Sequence, residues 1–331
     1  MRNFWEHLSK PVMALAPMED VTDAAFRRLI AKYGKPAVMF TEFTSADGLV
    51  LAPEKGQKIL RKKLNYDESE RPIVAQLFTA YPERMEKAAA MIQEMGFDGI
   101  DINMGCPVNE VVSTGCGAAL IKNPALEREL MRAARRGASE LPLSVKTRTG
   151  YDKDELDTWL PELLAEKPSA ITIHARTRKE MSEVPAHWDA VARAVKIRDD
   201  CQGDTLTKTL ILGNGDVKDM NDAREKVTAA GCDGAMLGRA IYGNPWLFSP
   251  GENNPERSRG TVTPREKIDA LIEHLKLFDE LMSETTNYAV MKKHFKAYIS
   301  GWDNAKELRV KLMETQSTAP AIALLENSRS V

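Results

Sequence analysis

The amino-acid sequence predicts an α/β fold, a (β/α)8 barrel followed by a small C-terminal helical domain. Strand-like apolar runs alternate with stretches of helical spacing, and eight such units span roughly 240 residues, which suits a barrel of this kind. Beyond residue 265, helical patterns continue without strand-like runs. A doubly wound open sheet is the alternative that the same alternation allows. The eight runs cover residues 12–18, 38–43, 73–78, 99–103, 143–147, 170–174, 210–213 and 234–237.

The helical stretches carry start and stop signals. A helix is predicted to begin at Pro82 and to end at Gly96, and another is predicted to begin near Pro124. The composition changes after Phe248, where a segment rich in Pro, Gly and Asn begins. This change divides the chain into a barrel domain at residues 1–248, a linker at residues 249–264 and a helical domain at residues 265–331.

Composition indicates a globular protein of the cytoplasm. Of the 331 residues 43% are hydrophobic, but no apolar run is long enough to span a bilayer, and the N-terminal residues lack the apolar segment of a signal peptide. The four cysteines form no C-x-x-C pair, so neither a zinc site nor a disulfide framework is predicted. The formal net charge of −2 leaves any binding of nucleic acid to a local patch.

Polar residues stand at the ends of nearly all the strand-like runs. In a (β/α)8 barrel the carboxyl ends of the strands meet at one mouth, where the active site lies. Burying so many polar groups for packing alone is costly, so a functional site is favoured over structural pairing. The residues concerned are Pro17, Met18, Glu19, Gln76, Asn103, Cys106, Lys146, Arg148, His174, Arg176, Asn214, Gly215, Asp216, Gly238 and Arg239.

The seventh and eighth units have the features of a phosphate-binding cradle. Gly213, Gly215 and Gly238 let the backbone approach a ligand closely, and Arg239 offers a guanidinium to an anion. Barrels commonly bind phosphate at this position. Because turns need glycine for other reasons, the signal depends on its place after these two strands.

Cys106 stands where the buried run at residues 99–103 meets Gly105 and Pro107, which end it. It is therefore expected at the barrel mouth, followed by a loop rich in small residues that can close over a ligand. Taken alone, a cysteine in this position is more often a small buried hydrophobic residue. The chemical interpretation depends on its neighbours.

A local basic patch is predicted in the helical domain. Lys292, Lys293 and Lys296 lie among aromatic residues such as Phe295 and Trp302, and basic residues outnumber the nearby acids. Such a cluster suits contacts with RNA phosphates, although a run of charges is more often a solvated helix face. The residues alone leave both interpretations open.

Together these residues resemble the signatures of the tRNA-dihydrouridine synthase family, in the family's order and over nearly the whole chain. The resemblance implies a TIM barrel that contains FMN, a helical domain that helps to grip tRNA, and NADPH as the usual reductant. It also implies reduction of the C5–C6 double bond of uridine. The matching segments are residues 16–18, 75–77, 101–107, 145–148, 173–176, 213–216, 238–239 and 243–246.

The resemblance also implies a role for each candidate residue. Pro17, Met18 and Glu19 would form the first turn that contacts FMN, while Gln76 and Lys146 would contact the flavin ring. A lysine there offsets the negative charge of reduced flavin, and a glutamine hydrogen-bonds the amide edge of the ring. The ribityl and phosphate contacts would be His174, Asn214, Gly215, Asp216, Gly238 and Arg239. The substrate would be bound by Asn103, Arg148, Arg176, Lys292, Lys293 and Lys296.

The implied mechanism makes the thiol of Cys106 an acid. NADPH reduces FMN, the reduced flavin passes a hydride to C6 of uracil, and Cys106 protonates C5 from the opposite face. The thiol must stay protonated near neutral pH, so a lowered pKa would hinder it. The target base must leave its stack in the folded tRNA, at a cost of about a few kcal/mol. The chain is expected to act as a monomer, without a metal and away from membranes.

Two other functions fit parts of the sequence. A flavin barrel acting on a free pyrimidine would share the FMN residues, but it leaves the basic helical domain unexplained. A non-catalytic RNA-binding protein on the same fold would leave Cys106, Lys146 and Asn103 unexplained. A purified protein without bound flavin would favour the second of these.

Overall fold

The computed structural model describes residues 3–249 and 262–329, and nine strands form its central sheet. The strands are β1 (Val12–Leu15), β2 (Met39–Phe40), β3 (Thr44–Ser45), β4 (Ile73–Phe78), β5 (Gly99–Met104), β6 (Leu143–Arg148), β7 (Ala170–His174), β8 (Leu210–Asn214) and β9 (Gly234–Leu237). All paired strands are parallel, in the order β1-β9-β8-β7-β6-β5-β4-β2, and β3 also pairs with β4. This arrangement confirms the predicted barrel.

Contacts between β1 and Val38 close the barrel. Ala14 and Val38 form a parallel bridge, and the backbone N–H of Leu15 donates to the carbonyl of Val38 at 3.1 Å. On its other edge β1 pairs in register with β9, where Val12 lies opposite Gly234. The carboxyl ends of the first and last strands therefore stand side by side.

Of the second predicted run, residues 38–43, only Met39–Phe40 forms a strand (β2), and β3 begins directly after the run, at Thr44. Between β2 and β3, the hydroxyl of Thr41 accepts a hydrogen bond from the backbone N–H of Gln76 at 3.1 Å. The side chain of Thr41 thus accepts a hydrogen bond that a backbone carbonyl would accept in a continuous strand. The chain bends there before it pairs with β4 again.

Helices connect the strands and form the outer layer. The two predicted helix starts at Pro82 and Pro124 are confirmed, and the first helix ends just before Gly96, whose φ of +78° favours glycine. Among the described residues no helix is both long and apolar enough to cross a membrane. The helices are α1 (Ala24–Tyr33), α2 (Ala46–Leu51), α3 (Glu54–Lys63), α4 (Pro82–Glu94), α5 (Asn109–Val112), α6 (Pro124–Gly137), α7 (Leu156–Ala165), α8 (Trp188–Gln202), α9 (Met220–Ala230), α10 (Pro264–Leu281), α11 (Ala289–Tyr298), α12 (Ala305–Glu314) and α13 (Thr318–Asn327).

Alternate residues of each strand face the helices and the barrel interior. On β5, Ile100 and Ile102 belong to the core between strands and helices, so Asp101 and Asn103 face the interior. At the amino end of the strands, Trp5 packs with interior apolar side chains of several strands. The interior is therefore apolar at one end and polar at the other, where the mouth lies.

The C-terminal helices pack against α1 of the barrel. The ring of Phe26 on α1 stacks on His274 of α10 with centroids 4.9 Å apart, and it lies 5.0 Å from His294 of α11. Gly243 approaches α11 so closely that an added Cβ would lie 2.3 Å from the carbonyl oxygen of Ala297. One continuous core thus joins the barrel helices to the C-terminal helices.

The division into domains stays a prediction. The described barrel residues extend to position 249, and α10 begins at Pro264, close to the predicted start of the helical domain. Most of the predicted linker, residues 249–264, lies outside the described residues.

A buried ion pair anchors the loop that follows β1. Nε of Arg27 on α1 donates to Oε2 of Glu70 at 2.8 Å, and both side chains are fully buried. Arg27 also donates to the carbonyl of Thr22 at 2.7 Å. Removing one partner of such a pair leaves the other charge buried without compensation.

Replacing Arg27 with methionine is expected to lower the free energy of unfolding by about 3–5 kcal/mol, because the carboxylate of Glu70 loses its buried counter-ion. Urea unfolding followed by circular dichroism measures the change. Arg28 is the matched control, since it is partly exposed and lies 3.6 Å from the same carboxylate. Arg28→Met is expected to cost less than about 1 kcal/mol. Equal losses in the two variants would contradict this account of the pair.

Candidate active site

The structure gathers the predicted barrel residues at the carboxyl ends of the strands, and places the predicted helical-domain residues apart from them. Gln76 lies on β4, Asn103 on β5, Lys146 and Arg148 on β6, His174 on β7 and Asn214 on β8. Pro17, Met18 and Glu19 follow β1, Cys106 follows β5, Arg176 follows β7, Gly215 and Asp216 follow β8, and Gly238 and Arg239 follow β9. Lys292, Lys293 and Lys296 lie on α11, and of these three Lys293 contacts a loop of the mouth.

The segment after β5 is held from two sides, which fixes the position of Cys106. Oδ1 of Asn103 accepts hydrogen bonds from the backbone N–H groups of Gly105 at 3.1 Å and Cys106 at 2.9 Å. From the other side, the N–H of Ala118 donates to the carbonyl of Cys106 at 3.0 Å. Gly117 has a φ of +59°, and an added Cβ would lie 2.7 Å from that carbonyl oxygen. The close approach therefore requires glycine at this position.

The thiol of Cys106 is buried and protonated. Its residue is 9% exposed. Burial raises the pKa of the thiol above its usual value, although the backbone of Val108 and the nearby cations Arg148 and Lys146 act in the opposite direction. A thiol in this state can donate a proton, whereas a nucleophilic cysteine requires the thiolate.

Arg148 braces the loops around the thiol. Its Nε donates to the carbonyl of Gly105 at 2.8 Å, and its Nη1 donates to the carbonyls of Thr177 at 2.9 Å and Met181 at 3.0 Å. Burial lowers the pKa of Arg148 to about 10, so the guanidinium stays charged at neutral pH. Its predicted contact with uracil stays a prediction.

Lys146 presents a desolvated ammonium inside the mouth. Its Nζ donates to Oδ1 of Asn214 at 3.3 Å, and Nδ2 of Asn214 donates to the carbonyl of Met236 at 2.7 Å. Burial and the charge of Arg148 lower the pKa of Lys146 to about 8. Its hydrogen-bond partner is a neutral amide and the carboxylate of Asp101 compensates its charge only in part, so an anion placed beside Lys146 would be favoured.

Asp101, to which the sequence pattern assigns no role, lies on the floor of the site. It is 1% exposed and accepts hydrogen bonds from Nε2 of Gln76 at 2.7 Å and from Oγ of Ser144 at 2.6 Å. Nδ2 of Asn103 donates in turn to Oε1 of Gln76 at 3.0 Å. The strand alternation was the available signal, because it places Asp101 and Asn103 on the same interior face.

Two arginines share one carboxylate on the far side of the mouth. Asp216 accepts a hydrogen bond from Nη2 of Arg239 at 2.7 Å and a very short one from Nη2 of Arg176. Nε2 of His174 lies 3.2 Å from Nη1 of Arg176. Burial and the surrounding cations, Lys146 first among them, lower the pKa of His174 far below its usual range, so its ring is neutral at physiological pH.

Gly213 does not belong to a ligand cradle, and the expectation that it lets the backbone approach a ligand is wrong. An added Cβ at Gly213 would lie 2.3 Å from the indole of Trp188. Nε1 of Trp188 also donates to the carbonyl of Gly215 at 2.9 Å. The small residue is therefore needed to seat an aromatic side chain behind β8.

The turn after β1 connects the mouth to the helical domain. The N–H of Met18 donates to the hydroxyl of Thr22 at 2.9 Å, which fixes the start of the turn. Glu19 is exposed and forms an ion pair with Lys63 of α3, N···O 2.6 Å. Asp20 forms an ion pair with Lys293 of α11 at 2.7 Å.

Three carboxylates stand together at this turn. Ligand oxygens of Glu19, Asp20 and Glu42 lie within 4.8 Å of one another, and the N–H of Asp20 donates to Glu42 at 2.6 Å. Burial raises the pKa of Glu42 to about 7. Lys63 and Lys293 offset the negative charge of the group. The expectation that the protein binds no metal stays a prediction.

A family model described as dihydrouridine synthase (Dus) matches residues 14–330. The chain belongs to this family. It is 41% identical over 327 residues to "Probable tRNA-dihydrouridine synthase 2" of Bacillus subtilis (strain 168), a match that covers 98% of this chain and 96% of that protein. It is 40% identical over 326 residues to "Probable tRNA-dihydrouridine synthase" of Staphylococcus aureus (strain COL), with 98% and 95% covered.

Solved structures share the barrel of this dihydrouridine synthase family member at low sequence identity. Morphinone reductase in complex with tetrahydroNAD superposes with a TM-score of 0.51 at 14% identity, over 78% of this chain and 90% of that chain. Histamine dehydrogenase from Rhizobium sp. 4-9 gives a TM-score of 0.54 at 12% identity, over 81% and 49%. At these identities the similarity concerns the fold alone.

Membership of the dihydrouridine synthase family confirms the resemblance drawn from the sequence motifs. The roles of the individual residues stay predictions. Their positions agree with those roles for the barrel residues, which share one mouth, while Lys292 and Lys296 lie outside it.

Proposed function

We propose that this chain reduces the C5–C6 double bond of uridines in tRNA to give 5,6-dihydrouridine, with FMN bound in the barrel and NADPH as the reductant. Its family and the tRNA-dihydrouridine synthase names of its relatives support this function. The observation that carries the proposal is the buried thiol of Cys106 at the mouth, near the cations Lys146 and Arg148. Because tRNA is the substrate, we expect the protein to act in the cytoplasm.

The residues of the mouth fit FMN. Lys146 is a desolvated ammonium bound to a neutral amide, so it favours an anion beside it, such as the N1 to C2=O edge of a reduced flavin. Arg239 is largely exposed at the mouth, where a phosphate can reach it. When bound, FMN supplies the hydride that adds to the pyrimidine ring. The other proposed FMN contacts are Pro17, Met18, Glu19, Gln76, His174, Asn214, Gly215, Asp216 and Gly238.

The protein itself contributes a proton donor, the thiol of Cys106, held in position at the mouth. Cys106 donates the proton of its thiol to C5 of the uracil, and the sulfur keeps the electron pair of the broken S–H bond. Lys146 and Arg148 then stabilise the thiolate, because both cations favour the charged form. Burial keeps the thiol protonated before the reaction, and the cations limit the cost of losing the proton.

Features on both sides of the mouth suit tRNA. Lys293 forms an ion pair with Asp20, beside the proposed first FMN turn, so one of the three lysines of α11 borders the mouth. At the carboxyl end of the barrel, the guanidinium of Arg84, in the first turn of α4, lies 3.7 Å from the ring centroid of Tyr81, and Nζ of Lys122 lies 3.6 Å from that of Tyr151. Such pairs of cation and aromatic ring suit a surface that contacts phosphates and unstacked bases.

Replacing Lys292, Lys293 and Lys296 together with alanine is expected to weaken tRNA binding and to flatten its dependence on salt, since each lost phosphate contact lowers the slope of log K against log salt by about 0.7–0.9. Filter binding at several salt concentrations measures both effects, with the flavin content unchanged. The matched control replaces Lys10, Lys167 and Lys208, which line a groove at the amino end of the barrel. If both triple variants bind tRNA alike, the face of α11 is only solvated.

The activity itself is tested by mapping dihydrouridine along tRNA from cells with and without this protein. The expected result is the loss of dihydrouridine at one or more positions, restored by the purified yellow protein with NADPH. Unchanged dihydrouridine in the cells, together with no product from the purified protein, would overturn the proposal. The purified protein also serves to test whether it is a monomer, whether it binds a metal and whether it prefers NADPH.

A further inference from the structure

A single chain of hydrogen bonds runs from the floor of the barrel to the Cys106 loop. Ser144 and Gln76 both donate to the carboxylate of Asp101, at 2.6 and 2.7 Å. Asn103 donates to Gln76 at 3.0 Å and accepts from the N–H of Cys106 at 2.9 Å. The chain crosses three adjacent strands, since Gln76 is on β4, Asp101 and Asn103 are on β5, and Ser144 is on β6.

The two ends of this chain determine its direction. A side-chain amide can turn by 180°, which exchanges its donor for its acceptor, so Gln76 and Asn103 have no preferred orientation of their own. An ionised Asp101 can only accept, and the N–H of Cys106 can only donate. With an acceptor at one end and a donor at the other, both amides have one orientation that satisfies every bond.

We propose that Asp101 is a positioning residue for the reaction: its carboxylate orients Gln76 and Asn103, and through them it holds Cys106 where its thiol faces the substrate. This inference rests on the acid role of Cys106 stated above. Without the carboxylate, only the N–H groups of Gly105 and Cys106 hold the direction, and whenever Gln76 reverses, Asn103 turns its amide nitrogen towards those N–H groups. Two donors would face each other, and the loop would move away from them.

A carboxylate at this position costs more desolvation free energy than a neutral side chain with a purely structural role would. Asp101 is 1% exposed, so the folded protein carries the cost of desolvating a charge where an amide would also fill the space. Burial raises the pKa of Asp101 to about 6, while hydrogen bonds from Ser144 and Gln76 and the charge of Lys146 act to lower it. Asp101 is therefore ionised at neutral pH and becomes protonated in mild acid.

Protonation of Asp101 should make the rate of proton transfer from Cys106 depend on pH. A protonated carboxyl group can donate to Gln76 as well as accept from it, so the direction of the chain is then held only from the Cys106 end. The charged group that faces Asp101 from the neighbouring strand is Lys146, which stays protonated throughout the acid range. Proton transfer from Cys106 should therefore slow as the pH falls through about 6. Glu42, whose pKa is raised to about 7, also titrates near the mouth, so a variant must assign the effect.

The experiment uses holoenzyme reduced with NADPH and mixed with tRNA that lacks dihydrouridine, and follows a single turnover between pH 5 and 8. Asp101→Asn is expected to lower the rate about tenfold or more at pH 7.5, because misplacing a reacting group by about 1 Å can cost more than that. It should also remove the fall in rate below pH 6. Asp98→Asn is the matched control. That carboxylate precedes the same strand and accepts from Arg71 and the N–H of Ile73, but it has no link to Cys106.

Ser144→Ala keeps the inference testable if Asp101→Asn does not fold. This variant removes a hydrogen bond to the ionised form of Asp101 and so raises the pKa of that carboxyl group. The pH at which the rate falls on the acid side (the acid limb of the profile) should therefore rise by about half a unit or more. A wild-type rate and pH profile in Asp101→Asn, equal losses in Asp98→Asn at equal flavin content, or an unmoved limb in Ser144→Ala would each overturn the inference. A wild-type protein that forms no dihydrouridine would instead overturn the proposed function.

Discussion

Replacing Cys106 with alanine is expected to lower dihydrouridine formation in tRNA by about 10²–10⁴-fold, the usual contribution of a general acid, while FMN stays bound and is still reduced by NADPH. The variant removes the proton donor and little else. Its backbone keeps the hydrogen bonds to Asn103 and Ala118, so the loop stays in place. Flavin absorbance measures binding and reduction, and mass spectrometry of digested tRNA measures the product.

The matched control for this variant is Cys116→Ala. Cys116 is also a buried cysteine with a raised pKa, and it lies in the loop that follows Cys106. Because no acid role is assigned to it, its replacement should leave product formation within about threefold of the wild type. If Cys106→Ala forms dihydrouridine at the wild-type rate, another group donates the proton and the acid role is wrong.

Replacing Lys146 with methionine is expected to weaken FMN binding by about tenfold or more, or to slow its reduction by NADPH to a similar degree. Methionine keeps the length of the side chain and removes the charge that would face the anionic flavin. Flavin content after gel filtration and stopped-flow absorbance measure the two effects. Lys153→Met, at an exposed lysine that follows β6, is the control.

The same variant should have the opposite effect on the stability of the protein without FMN. Folding lowers the pKa of Lys146 from 10.5 to about 8, so the folded state holds the ammonium less readily than the unfolded chain does. This cost is fully present below pH 8 and disappears as the pH rises towards 10.5. Lys146→Met should therefore unfold at a higher urea concentration at pH 7, and this advantage should shrink above pH 8. A variant that keeps its flavin and loses stability would show that Lys146 is structural.

The fold was predictable because period-two strands and period-3.6 helices leave their pattern in the sequence. Each of the eight predicted runs contains one strand, but in the run at residues 38–43 that strand is only Met39–Phe40. The early end of this strand, at Phe40, and the second start at Thr44 could not be predicted, because the break between them depends on the hydroxyl of Thr41 accepting a hydrogen bond from the N–H of Gln76. A contact between residues 35 positions apart is decided by the tertiary structure, and local pattern does not contain it.

The site was predictable as a set of strand-end residues, but their mutual contacts were not. Asp101 lies within a matching motif, yet nothing in its local sequence shows that it ends a chain of hydrogen bonds. Gly213 was assigned to a ligand because glycine permits close approach, whereas the approaching group is the indole of Trp188. In both cases the residue type was informative, and the partner came from a different strand or helix.

The shared core between barrel and C-terminal helices has an evolutionary consequence. The apolar face of α1 is covered by α10 and α11, where Phe26 packs against both His274 and His294, so replacing either part with an unrelated module would expose that face. The exposed lysines of α11 carry no such constraint. Substitutions of these lysines can therefore change the charge presented to RNA without altering the packing beneath them, whereas substitutions in that packing affect both parts of the protein.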